Sequence, residues 1–429
     1  MSNTPMNLTA KLSADTFTLG DRAGSWVGKL GMLGLVALAI ATALGLGGDQ
    51  GQMSRFLHAY LTVFMYVTSI AIGALLFVLL QNVTSAGWSV TVRRIAELVS
   101  STFPLLAVLS LPVVASVWMG KAELFPWANP HADFLPAGVA HMIEAKAGYF
   151  GKVFFTIRMA VYFGVWTWIA RWALRTSVAQ DQSGDPLLTN RLKKLSAPAI
   201  PVMALTLTFF ALDLLMSLDP AWYSTIFGVY YFAGGFLAFM ALLGIIAKKL
   251  GEEGVLKGFI RGEHYHDIGK LTFAFVMFWG YIAFSQYILI WYANIPEETV
   301  WYKEREGLFW GHVGVLFLLK FLLPFLGLMS RHMKRVPGRM VILGGWILIV
   351  HLYDMFFLAM PSHLTTLEYL GDHEAAESFA RCPFGIVEAL CAIGVVSLFA
   401  AGIMRAFSST SMLALRDPRM SESMTFHNP

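Results

Sequence analysis

Residues 349–361 read IVHLYDMFFLAMP and close an apolar segment spanning about 339–360, with a histidine and an aspartate in its middle. An ionised carboxylate inside a bilayer costs about 2.5–3.5 kcal/mol on insertion scales. Either the segment is not a membrane helix, or Asp354 has partners there. The neighbouring sequence decides the point. Apolar stretches of the length needed to cross a bilayer, about 20 residues, recur at 27–47, 57–81, 95–118, 149–170, 195–218, 223–247, 268–293, 308–330, 339–360 and 384–407. The pattern predicts an all-α integral membrane protein of ten transmembrane helices over 27–407, between an N-terminal segment 1–26 and a tail 408–429.

Composition agrees. Of 429 residues 57% are hydrophobic and 14% charged, with a mean hydropathy of +0.62, outside the range of soluble domains. Lys and Arg set the orientation, because cytoplasmic loops carry the excess. The N-terminal segment, the even-numbered loops and the tail hold 21, against seven in the odd-numbered loops. Both termini are therefore expected in the cytoplasm. The net charge of +4 follows from those loops and calls for no nucleic-acid partner. No cleaved signal peptide is expected, because the first apolar run lacks a short core with a small-residue cleavage site.

The two cysteines, Cys382 and Cys391, give no disulfide framework or metal site, and no CxxCH or four-cysteine iron–sulfur pattern occurs. Electron-transfer centres are expected in other subunits. His312 and His351 are the one rough candidate for a haem-holding pair. The stretch GEHYHDIGK (262–270) reads as a proton-collecting mouth or a helix cap rather than a metal site. The tail is polar and reads as a docking strand or a disordered end.

An internal repeat organises the charges. Asp213 in FFALDLLMSLDP (209–220) and Asp354 in VHLYDMFFLAMP (350–361) each precede a proline by seven residues. One helix earlier, Arg158 precedes Phe163 by five and Lys320 precedes Phe325 by five. The matches pair helices 2–5 with helices 6–9 as two parallel four-helix bundles, leaving helices 1 and 10 peripheral. At a rise of about 1.5 Å per residue, Asp213 and Asp354 lie roughly 9 Å from the outer ends of their helices, Arg158 about 12 Å and Lys320 about 18 Å in. Arg158 is expected to meet Asp213, and the long stem of Lys320 to reach Asp354. His351 shares a helical face with Asp354, and His312 lies above Lys320. Glu388 and Asp219 add to the outer concentration. Such residues serve either as packing ion pairs or as a proton relay. His58 reads as an interfacial residue. In FSQYILIWYANIPEE (284–298) an interfacial aromatic belt accounts for the Trp and Tyr residues, whereas Gln286 and Asn294 carry amide groups that need partners.

Several long segments carry a family resemblance: the loop from PWANP to KAGYF (126–150), ALDLLMSLDPAWYSTIFGVYYFAGGF (211–236), HYHDIGKLTFAF (264–275), FSQYILIWYANIPEE and HLYDMFFLAMP. Together they resemble the NrfD-like (polysulfide reductase) membrane subunits, and more closely the ActF-type subunit of bacterial alternative complex III, over nearly the whole chain. The resemblance implies a multi-pass inner-membrane subunit of a quinol:electron-acceptor oxidoreductase in a respiratory or photosynthetic chain, with no redox centre of its own. It implies as partners an iron–sulfur subunit, multihaem cytochrome subunits and a paralogous NrfD-like subunit, alongside lipid and quinone. The better-supported quinol pocket of the family belongs to that paralogue, and proton movement is the role proposed for ActF-like chains. On this reading the proton path comprises Asp354, His351, Lys320, His312, Asp213, Arg158, Glu388 and Asp219. His58, Gln286 and Tyr287 are candidate contacts for quinol or menaquinol. A proton-coupled secondary transporter and a structural scaffold are the competing functions.

Overall fold

A computed structural model describes residues 17–308 and 312–427, without the side chains of 306–308 and 312. Among these residues every regular element is a helix, as in a multi-pass membrane protein. The helices are α1 (Gly20–Leu46), α2 (Gln50–Val83), α3 (Val90–Ser100), α4 (Phe103–Leu109), α5 (Leu111–Trp118), α6 (Ala137–Ala145), α7 (Lys152–Ser183), α8 (Pro186–Leu214), α9 (Phe227–Glu252) and α10 (Gly262–Ala293). They continue with α11 (Pro296–Leu308), α12 (His312–Leu316), α13 (Leu323–Met329), α14 (Arg331–Arg335), α15 (Pro337–Ala359), α16 (Pro361–Tyr369), α17 (His373–Arg381), α18 (Ile386–Ser409) and α19 (Met420–Thr425).

The described residues of each of the ten apolar segments are mainly helical. Nine spans among the described residues are long and apolar enough to cross a membrane, and Val313–Met329 is shorter. Local chemistry explains the breaks. Pro104 and Pro112 restart the chain at the first turns of α4 and α5, dividing one span into three pieces. Between α7 and α8, Gly184 takes the left-handed conformation (φ +67°), the Asp185 side chain accepts from Leu187 N and Pro186 opens the next helix.

Helix α2 forms the central column. Its apolar window is 94% buried, whereas that of α1 is 17% buried, and α1 packs chiefly along α18. Helix α2 meets α8, α9, α15 and α18. Its crossing with α9 depends on glycine: a Cβ on Gly73 would lie 2.7 Å from Gly235 O, and one on Gly235 2.7 Å from Ser69 O. Backbones this close bring the two helices' polar groups within reach of one another.

One expectation changes. The described part of the tail, 408–427, packs on the chain itself, with residues 412–415 buried in the chain's own core. Asp417 anchors it on Arg93 at 2.7 Å, both side chains being fully enclosed. Burial would raise the Asp417 carboxyl, but Arg93 and Arg419 outweigh it and hold the group at about 2. Residues 262–270 take the helix-cap form, one of the two readings of the sequence: helix α10 starts there, with His264, His266 and Asp267 buried, and His264 Nδ1 accepts from Arg261 N at 3.0 Å as a cap. Among the described residues no group of three or more His, Cys, Asp or Glu could hold a metal ion.

Candidate functional site

Lys320 comes from the π-helical turn Phe317–Leu322 that joins α12 to α13, the kind of widened turn that recurs at functional sites. Asp354 and His351 sit three apart on one face of α15. Lys320 Nζ donates to Asp354 Oδ2, and all three side chains are wholly buried. The second carboxylate oxygen, Oδ1, accepts from the Tyr230 hydroxyl of α9 at 2.5 Å.

The histidine's role follows from its neighbours. Its Nδ1 lies 3.0 Å from Lys320 Nζ, and an ammonium can only donate, so Nδ1 accepts and the ring proton sits on Nε2. Nε2 faces Ser69 Oγ of α2 at 2.8 Å, and Ser69 donates to Tyr66 O at 2.7 Å. The result is a continuous chain of hydrogen bonds from α9 through α15 and the π turn to α2. Gly234 makes room for it: a Cβ there would stand 3.1 Å from His351 Cε1 and 3.2 Å from Lys320 Nζ. Trp279 covers the ammonium, its ring centroid 4.5 Å from Nζ.

Tyr230 also lines a cavity of about 340 Å³ together with Trp279, Gln286, Tyr287, Tyr302 and Phe357. Its walls are mostly aromatic with a few convergent polar groups, the usual make-up of a small-molecule site. Gln286 accepts from Ser224 Oγ and donates to Tyr302 Oη, both at 3.2 Å, so its amide is held in a fixed direction.

The other sequence-predicted residues lie apart from this network. Arg158 and Asp213 do meet, in a bidentate pair at 2.8 and 3.0 Å. Tyr149 and Tyr162 each donate to that carboxylate at 2.7 Å, and Arg158 also donates to Tyr149 O at 3.0 Å. Such a pair is saturated. Glu388 is bound to Arg55 at 2.7 and 3.0 Å and to Gly385 N at 2.8 Å. Asp219 closes a turn onto Ala221 N at 3.0 Å and lines a small cavity with Glu304 and Tyr369. His58 is fully buried among the chain's own side chains and does not line the cavity of Gln286 and Tyr287. It shares Ser54 with His363, whose Nδ1 lies 2.9 Å from Ser54 Oγ. The side chain of His312 lies outside the described residues.

Two participants were not visible in the sequence, Tyr230 and Ser69, and neither were two buried polar side chains outside the network, His363 and Arg305. Arg305 is buried against the end of α15, donating to the carbonyls of Phe357 (3.1 Å), Leu358 (3.2 Å) and Trp301 (2.8 Å). Its guanidinium stacks on Trp301 at 3.4 Å. A cation on the last carbonyls of a helix offsets its dipole. Burial lowers this guanidinium to about 10, against the pull of Glu304 and Asp219. Glu304 itself is raised to about 7 by burial, with Arg305 pulling down and Asp219 and Glu368 adding to the rise.

No protein-family model matches this chain, and no curated protein matches it. The functional reading therefore rests on the residues themselves.

Proposed function

We propose that this chain is a proton-conducting membrane subunit of a quinol:electron-acceptor oxidoreductase of the alternative complex III type, in a bacterial cytoplasmic membrane with both termini inside. The observation that carries the proposal is the enclosed network of Lys320, Asp354 and His351, joined through the Tyr230 hydroxyl to an aromatic cavity. Quinol oxidation releases two protons for every two electrons, and a base must take each proton as the electrons leave. A quinol ring in that cavity would meet the Tyr230 hydroxyl, which is bonded to the carboxylate. Asp354 is then the proton acceptor, Lys320 the counter-ion that keeps the empty acceptor anionic, and His351 the group that passes protons between Lys320 and Ser69. Electrons leave through haem and iron–sulfur centres of partner subunits to cytochrome c or a blue-copper protein. Arg158 and Asp213, the matching pair of the first bundle, keep their helices in register.

A proton-coupled transporter is the second reading, favoured by the π turn that interrupts a helix at its buried cation. Purifying the complex on a tag attached to this chain tests the choice. Iron–sulfur and multihaem subunits recovered in stoichiometric amount support the oxidoreductase; a chain recovered alone that drives solute uptake in vesicles under a proton gradient supports the transporter.

A further inference from the structure

A groove between α4 and α7 has no connection with the Asp354 network. Its volume is about 780 Å³, and small residues hold it open, Ala107 on α4 and Ala160 and Gly164 on α7. It extends along α7 from Ala160 to Thr176, about 24 Å at the helical rise. Its polarity changes along that length. One end is walled by Ala160, Phe163 and Gly164, and the other carries Arg171 and Arg175, one turn apart on the same face.

Among the described residues neither arginine has a carboxylate partner. Trp172, which also lines the groove, has no acceptor for its indole Nε1–H among the described residues. Trp168 stands 67% exposed beside them, as aromatic residues do at headgroup depth. Depth agrees with this. Arg171 lies about 28 Å along α7 from Lys152, and the hydrocarbon layer is about 30 Å thick. The two guanidiniums therefore sit at the headgroup level of one leaflet, with the apolar part of the groove running toward the bilayer centre.

We propose that this groove seats one anionic diacyl phospholipid, its phosphate held by Arg171 and Arg175 and one acyl chain lying along Ala160, Phe163 and Gly164. Paired guanidiniums suit phosphate oxygens through parallel N–H donors, and basic pockets between membrane helices bind acidic headgroups. A free phosphate would use only the charged end and leave the apolar length unexplained.

Native mass spectrometry of the purified full chain tests this with phosphatidylglycerol, phosphatidylcholine of the same acyl chains, and inorganic phosphate. The wild type should retain one phosphatidylglycerol per chain, with at least tenfold preference over phosphatidylcholine and no displacement by millimolar phosphate. The double variant R171Q/R175Q should lose that preference. Gly164→Leu should lower retention with both arginines in place; a Cβ at Gly164 meets nothing within 4 Å, so the new side chain starts in the open groove, and thermal unfolding like that of the wild type checks that the fold is kept. Arg191→Gln, a charge loss outside the groove, should leave retention unchanged. Equal retention of the two lipids overturns the proposal, as does undiminished preference in R171Q/R175Q. Full displacement by inorganic phosphate, or a partner subunit crosslinked at Trp168 in place of lipid, overturns it too.

Discussion

Lys320 and Asp354 form an ion pair in which neither side chain has any exposure to solvent. Arg158 and Asp213 form the corresponding pair on helices α7 and α8, yet the two differ in what remains available. Each oxygen of Asp213 is bonded both to Arg158 and to a tyrosine. Asp354 instead shares one oxygen with Tyr230, a residue that opens onto 340 Å³ of space. The first carboxylate is fully engaged and the second sits beside open space, the difference on which the proposed division into a packing pair and a proton acceptor rests.

Removing one partner of a buried pair leaves an uncompensated charge. Lys320→Met should destabilise the chain by about 3–5 kcal/mol, and K320M/D354L should recover most of that loss, because apolar replacement of both partners is near neutral. Thermal unfolding of the purified variants in one detergent checks it. A double variant as unstable as the single one would mean that the pair contributes net stability.

Tyr230→Phe removes one hydroxyl and keeps the ring. The carboxylate then loses a buried donor, which costs about 1–3 kcal/mol, and quinol-dependent turnover of the complex should fall at least tenfold. Turnover within twofold of wild type, in protein of normal stability, would detach the cavity from Asp354.

For the first pair the expectation is opposite. R158M/D213L should leave turnover within about threefold of wild type, while Arg158→Met alone should lower the yield of folded protein through the unpaired carboxylate. Stopped-flow quinol oxidation by the two preparations separates the outcomes. A tenfold loss in the double variant would place Asp213 on the proton path.

Glu304 carries a pH dependence of stability. Its carboxyl is raised by burial from 4.5 to about 7, so the folded chain binds this proton more tightly than the unfolded one does. The associated stability is complete below about pH 4.5 and is lost as pH rises through 7. Glu304→Gln, which cannot ionise, should therefore match the wild type at about pH 4 and exceed it by about 1–3 kcal/mol at about pH 8.5. Melting temperatures at the two pH values decide it, and a gain of equal size at both would refute the assignment.

The helices were legible because an apolar run of bilayer length finds a stable environment chiefly as a membrane-crossing helix. The two charge pairs were legible because a Lys or Asp inside such a run must find a partner. Tyr230 and Ser69 were not, since tyrosine and serine within an apolar helix carry no mark of which face they occupy. Their place is set by the crossing of α2 and α9 at Gly73 and Gly235, a three-dimensional contact between segments far apart in sequence. Arg305 reads in the sequence as one more loop cation; the fold of α11 against the end of α15 buries it. The tail misleads for a related reason. Its polar composition conceals Met412, Leu413 and Leu415, which fill a core position once Asp417 is held by Arg93.

Proton release per electron by the complex carrying Asp354→Asn tests the central claim most directly. It is measured in vesicles during quinol oxidation, with assembly read from the haem content of the same preparation. The account predicts normal assembly with turnover, or protons released per electron, reduced severalfold. Unchanged turnover and unchanged stoichiometry in fully assembled D354N complex would contradict it.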